Sequence, residues 1–106
     1  MNYVDKLFIF SYFVTCATAS FLHYGVRYKG YNNYLTFIPS IIFTLIFSYS
    51  SKYGKIDLYK LWTLFAMIEA STAVIFMNFL GEKITYIQYI GMFLLCSGIY
   101  FINYKN

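Results

Sequence analysis

The sequence predicts an all-α membrane protein, a four-transmembrane-helix bundle with short loops. Three observations predict it. Of the 106 residues, 60% are hydrophobic and only 11% are charged, whereas charged residues make up roughly a quarter of an average soluble domain. The apolar residues fall into four long runs separated by short polar links. Aromatic residues make up 25% of the chain, and tyrosine in particular suits the headgroup zone, where an apolar ring and a hydrated hydroxyl are both satisfied.

The four apolar runs each approach the length of about 20 residues that spans a hydrocarbon core. Because the links between them are short, consecutive helices must be antiparallel neighbours within one domain. Pro39 is expected in the first turns of the second helix, where its missing N–H costs least. The single domain covers residues 1–106, with helices at about 7–24, 34–49, 58–80 and 84–104.

Lysine and arginine near the helix ends predict the orientation. With four spans, the two termini and the middle loop share one side of the bilayer. That side carries Lys6, Lys52, Lys55, Lys60 and Lys105, and the other carries Arg27, Lys29 and Lys83. The excess predicts cytoplasmic termini in an inner or plasma membrane.

Several classes of function are excluded by what the sequence lacks. It has no phosphate-cradling glycine loop, no Ser/His/Asp set and no metal-ligand spacing, so neither an enzyme nor a bound metal or cofactor is expected. The basic residues form no stripe, which argues against nucleic acid binding. Cys16 and Cys96 each sit in an apolar run and are expected to pack there.

Sequence motifs in the second half of the chain form a recognisable pattern. A tight turn is followed by a glycine-containing helix, and an aromatic pair opens the preceding helix. The motifs are Gly81-Glu82-Lys83-Ile84, Gln88-Tyr89-Ile90-Gly91-Met92, Leu95-Cys96-Ser97-Gly98-Ile99, Ile102-Asn103 and Tyr59-Lys60-Leu61-Trp62. This pattern resembles the small multidrug resistance family of the drug/metabolite transporter (EamA-like) superfamily.

The resemblance implies four spans and a dimer held together by the fourth helices. Gly91 and Gly98 are one heptad apart on one face of helix 4, where the missing side chains let another helix approach closely. Packing within one protomer is the alternative explanation for the two glycines.

The first helix departs from the family. The family's drug exporters carry a membrane-embedded glutamate in helix 1 that binds protons and cationic substrate in turn. Here Thr15 falls at that position, and helix 1 has no carboxylate at that depth. The family's glycine-rich kink in helix 3 is also missing. Proton-coupled drug export by the family mechanism is therefore in question.

Glu69 is the candidate that remains, since it is the one acid well inside a predicted span. An ionised carboxylate at the bilayer centre costs at least about 2.5 kcal/mol, so it is expected to face the bundle or a cavity. There it either binds a proton or a cationic substrate group, or accepts hydrogen bonds from the hydroxyls of Thr15, Thr18 or Ser20 and fixes the packing.

Other residues join Glu69 in the predicted site. Trp62 lies two turns before the acid, and an aromatic ring beside a carboxylate suits an amine or quaternary cation. Tyr59 belongs to the same motif as Trp62, and Thr15 and Thr18 lie in a small, polar stretch of helix 1 that is expected to face the bundle. His23 ends helix 1 as either a titrating or an interfacial residue.

Together these features predict a small-multidrug-resistance-like transporter. It would work as a dimer by alternating access, moving a small cationic, amphipathic or lipid-linked metabolite. Its partner would be a second copy or a paralogue, as in the paired subunits of the superfamily that flip lipid-linked aminosugars. The alternative is a non-transporting accessory subunit of a membrane complex.

Overall fold

The computed structural model describes residues 2–104 and is all-helical over that range. This confirms the predicted all-α fold with four main helices; Lys105, counted in the predicted charge bias, lies outside the described residues. A short 3-10 helix, Asn33–Thr36, leads directly into the second α-helix. The α-helices are α1 (Tyr3–Tyr28), α2 (Phe37–Tyr53), α3 (Leu58–Leu80) and α4 (Tyr86–Ile102).

Helix α1 extends beyond its apolar run at both ends. It begins at Tyr3 because the Asn2 side chain accepts the Asp5 N–H at 2.9 Å, which caps the first turn. It continues past Gly25, which the sequence assigns to a loop, and ends at Tyr28. His23 and Arg27 therefore lie on the helix. The ring of Tyr31 lies where a Cβ at Gly25 would be, so only glycine fits there.

Helix α2 starts and ends later than its apolar run predicts. Pro39 is its third residue, within the turn whose N–H groups lack helical partners, so the ring removes no helical hydrogen bond. The helix continues to Tyr53, and the N–H of Gly54 donates to the Ser50 carbonyl at 2.9 Å.

Helix α3 covers Leu58–Leu80, the range of the third apolar run, and a tight turn joins it to α4. Gly81 adopts a φ of 130° there, a conformation that favours glycine. Thr85 and Gln88 then form a capping box that starts α4. Helix α4 is therefore shorter than the predicted 84–104 run.

Three helical segments are long and apolar enough to cross a membrane: α1, the 3-10 helix with α2, and α3. Helix α4 is apolar but has only 17 residues, a length of about 26 Å at 1.5 Å per residue. These segments indicate a multi-pass membrane protein.

Helix α1 packs against both α3 and α2, and α4 packs mainly against α3. The core forms where α1 crosses α3, around Tyr12, Cys16, Leu61 and Phe65. The rings of Tyr12 and Phe65 stack there at 4.0 Å between centroids.

The resulting molecule is flat. Its principal extents are 46 × 32 × 18 Å and its radius of gyration is 14.9 Å, whereas a compact domain of this length has one of about 13 Å. Large apolar side chains cover the surface; Phe79, for example, is 78% exposed. One protomer therefore leaves most of its apolar surface for lipid or a partner.

Candidate functional site

Glu69 lies midway along α3, and its side chain is exposed on the surface of the protomer. The hydroxyl of Tyr12 on α1 donates a hydrogen bond to its carboxylate. One hydroxyl satisfies only part of the hydrogen-bonding capacity of a carboxylate, which has about four lone-pair sites. The acid is thus anchored to α1 but remains available to a ligand.

A cavity of about 460 Å³ opens beside Glu69, between α2 and α3. We call it the lateral cavity. The core pair of Tyr12 and Phe65 lies at its base, with Phe47 across from Trp62. Its lining residues are Tyr12, Phe43, Thr44, Phe47, Ser48, Trp62, Phe65, Ala66 and Glu69.

Aromatic rings from three helices form most of the wall of the lateral cavity. Phe47 of α2 meets Trp62 and Phe65 of α3 edge to face, with centroid distances of 4.7 and 5.6 Å. Tyr12 lies 5.0 Å from Phe43. Glu69 is the only carboxylic acid among the described residues that line this cavity, and none of these residues is basic. Ring faces and a single carboxylate both attract cations.

A second cavity, of about 240 Å³, begins at Glu69 and continues along α3 toward its C-terminal end, between α1 and α3. We call it the inner cavity. It shares Glu69 and Phe43 with the lateral cavity and reaches along α1 as far as His23. Its lining residues are Cys16, Ala19, Ser20, His23, Phe43, Glu69, Thr72, Ala73 and Met77.

A third cavity, the turn-side cavity, lies at the end of the bundle that holds the α3–α4 turn and has a volume of about 380 Å³. There the Tyr28 hydroxyl donates to the Glu82 carboxylate at 2.5 Å, which ties the end of α1 to the turn. The lining residues are His23, Tyr24, Val26, Arg27, Tyr28, Met77 and Glu82.

Asp5 forms the main polar contact at the opposite end of the bundle. Its carboxylate is 2% exposed and accepts the Lys55 N–H, with both oxygens at 3.1 Å. This contact holds the α2–α3 loop against the start of α1. A cavity of about 520 Å³ beside it is lined by charges of both signs, including Asp57 and Lys60.

The structure brings two of the predicted binding residues together. Glu69 and Trp62 both line the lateral cavity. Tyr59 lies outside it and is 56% exposed, with the Lys60 ammonium 5.9 Å from its ring centroid.

The hydroxyls of helix 1 take a different role from the predicted contact with Glu69. Thr15 and Thr18 donate instead to the backbone carbonyls of Ser11 and Val14, and Ser20 bonds to its own helix in the same way. The reason is geometric, because a short hydroxyl side chain reaches the carbonyl four residues earlier in its own helix. Tyrosine is long enough to cross between helices, so Tyr12 contacts the acid.

Several functional candidates are absent from the sequence-based site, including Tyr12 and the α2 residues Phe43, Thr44, Phe47 and Ser48. One signal was present for Tyr12, because a tyrosine in the middle of an apolar helix needs a partner for its hydroxyl. The α2 residues carry no such signal, because their position depends on how α2 packs against α1.

Gly91 and Gly98 lie in open space on α4, with no atom within 4 Å of an added Cβ. Neither glycine is used for packing among residues 2–104. Among residues 2–104, no group of three or more His, Cys, Asp or Glu side chains is placed to hold a metal ion.

Comparison with protein-family models, with curated proteins and with solved structures finds no match for this chain. Functional inference therefore depends on the site itself.

Proposed function

We propose that this protein is a small-multidrug-resistance-like membrane transporter that binds a cationic or amphipathic substrate at Glu69. The observation that carries the proposal is the mid-helix position of this carboxylate, exposed beside an aromatic cavity. Ionisable residues within membrane-spanning helices are costly, and they commonly mark substrate or ion pathways.

The wall of the lateral cavity supports a substrate with both a cationic and an apolar part. The carboxylate of Glu69 pairs with the charge, while Trp62 and Phe47 contact the apolar part. The opening between α2 and α3 lies on the surface of the protomer. A lipid-linked substrate with an amino group fits this route, since its chain can remain in the bilayer while its head enters.

Coupling in this proposal depends on α3 rather than α1. Thr15, at the position of the family's helix 1 glutamate, is 7% exposed and bonds to its own helix. Glu69 and its partner Tyr12 take over the role of exchanging a proton for the substrate cation. Alternating access then requires the Tyr12–Glu69 hydrogen bond to break when substrate binds.

A dimer completes the site. An isolated protomer exposes Glu69 and is only 18 Å thick in its shortest direction, so a second subunit is needed to enclose a path across the membrane. The open glycine face of α4 supports the contact, because small residues let two helices approach. The partner is a second copy or a paralogue, in an inner or plasma membrane with cytoplasmic termini.

The test is proton release from purified protein in detergent. A panel of amine, guanidinium and quaternary-ammonium compounds is added to weakly buffered protein, and the pH change is recorded. Wild type releases protons with at least one class, and Glu69→Gln abolishes the release. Glu82→Gln, which removes an acid at the bundle end, preserves it.

If no compound releases protons from a correctly assembled dimer, the exchange of a proton for a small soluble cation at Glu69 is wrong. Assembly of Glu69→Gln with wild-type stability and unchanged partner binding would then favour the accessory-subunit function.

A further inference from the structure

Glu69 lines two cavities that meet at its side chain, and this position has a functional implication beyond substrate binding. The lateral cavity approaches the carboxylate from the α2–α3 opening, and the inner cavity approaches it along α1. The aromatic lateral cavity suits a bulky cation. The smaller inner cavity includes Ser20, His23 and Thr72 among its lining residues, and their polar groups can hydrogen-bond to water.

The inner cavity follows one face of each of two antiparallel helices. On α1, Cys16, Ser20 and His23 are spaced by four and three residues, which places them on one face. On α3, Glu69 and Thr72 are spaced by three residues in the same way. The cavity is therefore a groove that runs parallel to the helices rather than an isolated void.

This groove continues to the end of the bundle. His23 and Met77 line both the inner cavity and the turn-side cavity, so the two cavities meet at these residues. His23 itself is exposed. A row of connected cavities thus leads from the midpoint of α3 to the end of the molecule that carries Arg27 and Glu82.

We propose that this row of cavities is a water-filled proton path in which His23 exchanges protons with Glu69, separate from the substrate route through the lateral cavity. The inference rests on the proposed function, since it assumes that Glu69 binds a proton.

The distance requires water. Tyr12, which contacts Glu69, and His23 are eleven residues apart on α1, or about 16 Å along its axis, too far for a direct transfer. The inner cavity of about 240 Å³ has room for several waters, since a water molecule occupies about 30 Å³ in the liquid. The hydroxyls of Ser20 and Thr72 donate to backbone carbonyls, so their lone pairs remain free to accept hydrogen bonds from such waters.

The transfer along the path moves one proton, with none gained or lost. A proton leaves the imidazolium of His23 to the adjacent water, successive waters pass a proton on, and the last O–H bond forms on the Glu69 carboxylate. Histidine suits the entrance because its imidazole can both accept and donate a proton. The titratable and charged groups around His23, from α1, α3 and the α3–α4 turn, are Cys16, Tyr24, Arg27, Tyr28, Glu69 and Glu82.

The first test asks whether the inner cavity holds water, and it needs no substrate. Single cysteines are placed at Ala73, which lines the cavity, and at Ile75, two residues away and 49% exposed outside it. The background carries Cys16→Ala and Cys96→Ala. A charged thiol reagent requires hydrated thiolate, so Ala73→Cys reacts about tenfold or more faster than Ile75→Cys. Equal rates would mean that the cavity is dry.

The second test follows protonation of Glu69 in purified protein after a pH jump. Infrared difference spectra record the carboxylic acid C=O band, assigned by its loss in Glu69→Gln. His23→Gln slows the appearance of this band by about tenfold or more, because the entrance group is lost. The final intensity is unchanged. Lys29→Gln, an exposed change near the same end, leaves the rate at the wild-type value.

The two proposals fail in different ways. If wild type shows no carboxylic acid band that Glu69→Gln removes, the proposed role of Glu69 is wrong. If the band is present but forms at the same rate in His23→Gln and wild type, Glu69 keeps its role and the proton path is wrong.

Discussion

At the scale of single residues, the Tyr12–Glu69 hydrogen bond joins the function of the site to the stability of the bundle. Tyr12 is 5% exposed and stacks on Phe65, so its ring is fixed by packing and its hydroxyl is directed at the acid. A hydrogen bond to a charged group contributes about 1.5–3 kcal/mol, and one between neutral groups about 1 kcal/mol.

We expect Tyr12→Phe to lower the free energy of unfolding in detergent by about 1–2 kcal/mol, because it removes the hydroxyl but keeps the stacked ring. Denaturant titration followed by circular dichroism measures it. Tyr49→Phe is the control, since Tyr49 is 52% exposed. In the double variant with Glu69→Ala, which removes the acceptor, the two effects should not add, because each change removes the same contact. Additive effects would show that the contact is not formed.

Gly54 is a second residue whose identity matters. A Cβ there would lie 2.5 Å from a carboxylate oxygen of Asp5 and 2.6 Å from the backbone carbonyl of Ser50. The backbone oxygen cannot move aside without disturbing the end of α2. Glycine is therefore required because the Ser50 carbonyl and the Asp5 carboxylate both lie close to this position.

Gly54→Ala should destabilise the protein by about 1–3 kcal/mol through overpacking. Its thermal unfolding midpoint in detergent should fall clearly below that of Lys52→Ala, an exposed change in the last turn of α2. Wild-type stability of Gly54→Ala would rule out the close contact between Asp5 and the α2–α3 loop.

At the scale of elements, the helices differ in the contacts that hold them in the bundle. Helices α1, α2 and α3 share the core or the lateral cavity. Helix α4 is fixed to α3 by Ile99, by the Asn103–Thr63 hydrogen bond and by a polar contact between Ser71 and Cys96. Its glycine face remains open, so this helix is available for assembly.

Gly91→Leu should weaken the dimer and raise its dissociation constant at least tenfold, which corresponds to about 1.4 kcal/mol or more. The stability of the protomer should change little. The expected reason is that leucine fills the space that the partner helix needs. Analytical ultracentrifugation in detergent measures the change. Ser97→Leu adds the same bulk on a different face of α4 and serves as the control. Equal effects of the two variants would contradict a glycine-face interface.

The sequence predicts the helices well and the site only in part, for a physical reason. Apolar runs and short loops determine the number of helices, and a lone acid in an apolar run identifies Glu69. The approach of the Tyr31 ring to Gly25 is a contact between α1 and the loop that follows it, and no local pattern predicts it. Likewise, Phe47 joins the site only because α2 packs against α1. Contacts that depend on how helices pack are not encoded in local periodicity.

At the scale of the whole molecule, the flat protomer and its surface determine the expected assembly. Large apolar side chains are exposed along every helix, and the shortest dimension is 18 Å. Such a protomer resembles one layer of a thicker structure. We expect a detergent-extracted particle with a protein mass near twice 12.5 kDa.

The topology gives a sharper prediction at this scale. If α4 crosses the bilayer despite its 17 residues, both chain ends lie on one side, and we expect that side to be the cytoplasm because it carries the lysine excess. Reporters that are active in the cytoplasm should therefore work when fused at either end, and should fail when inserted next to Lys29. Opposite results at the two ends would mean that the chain crosses the membrane an odd number of times.

The Tyr12–Glu69 hydrogen bond also has a consequence for biogenesis. A charged residue at the centre of a nascent helix opposes its release into lipid by about 2.5–3.5 kcal/mol. Because α1 precedes α3 along the chain, we expect Tyr12 to enter the bilayer before the segment with Glu69 leaves the ribosome. The first helix would then offer the third a polar partner as it inserts, and the order of synthesis would lower the cost of placing the acid in the membrane.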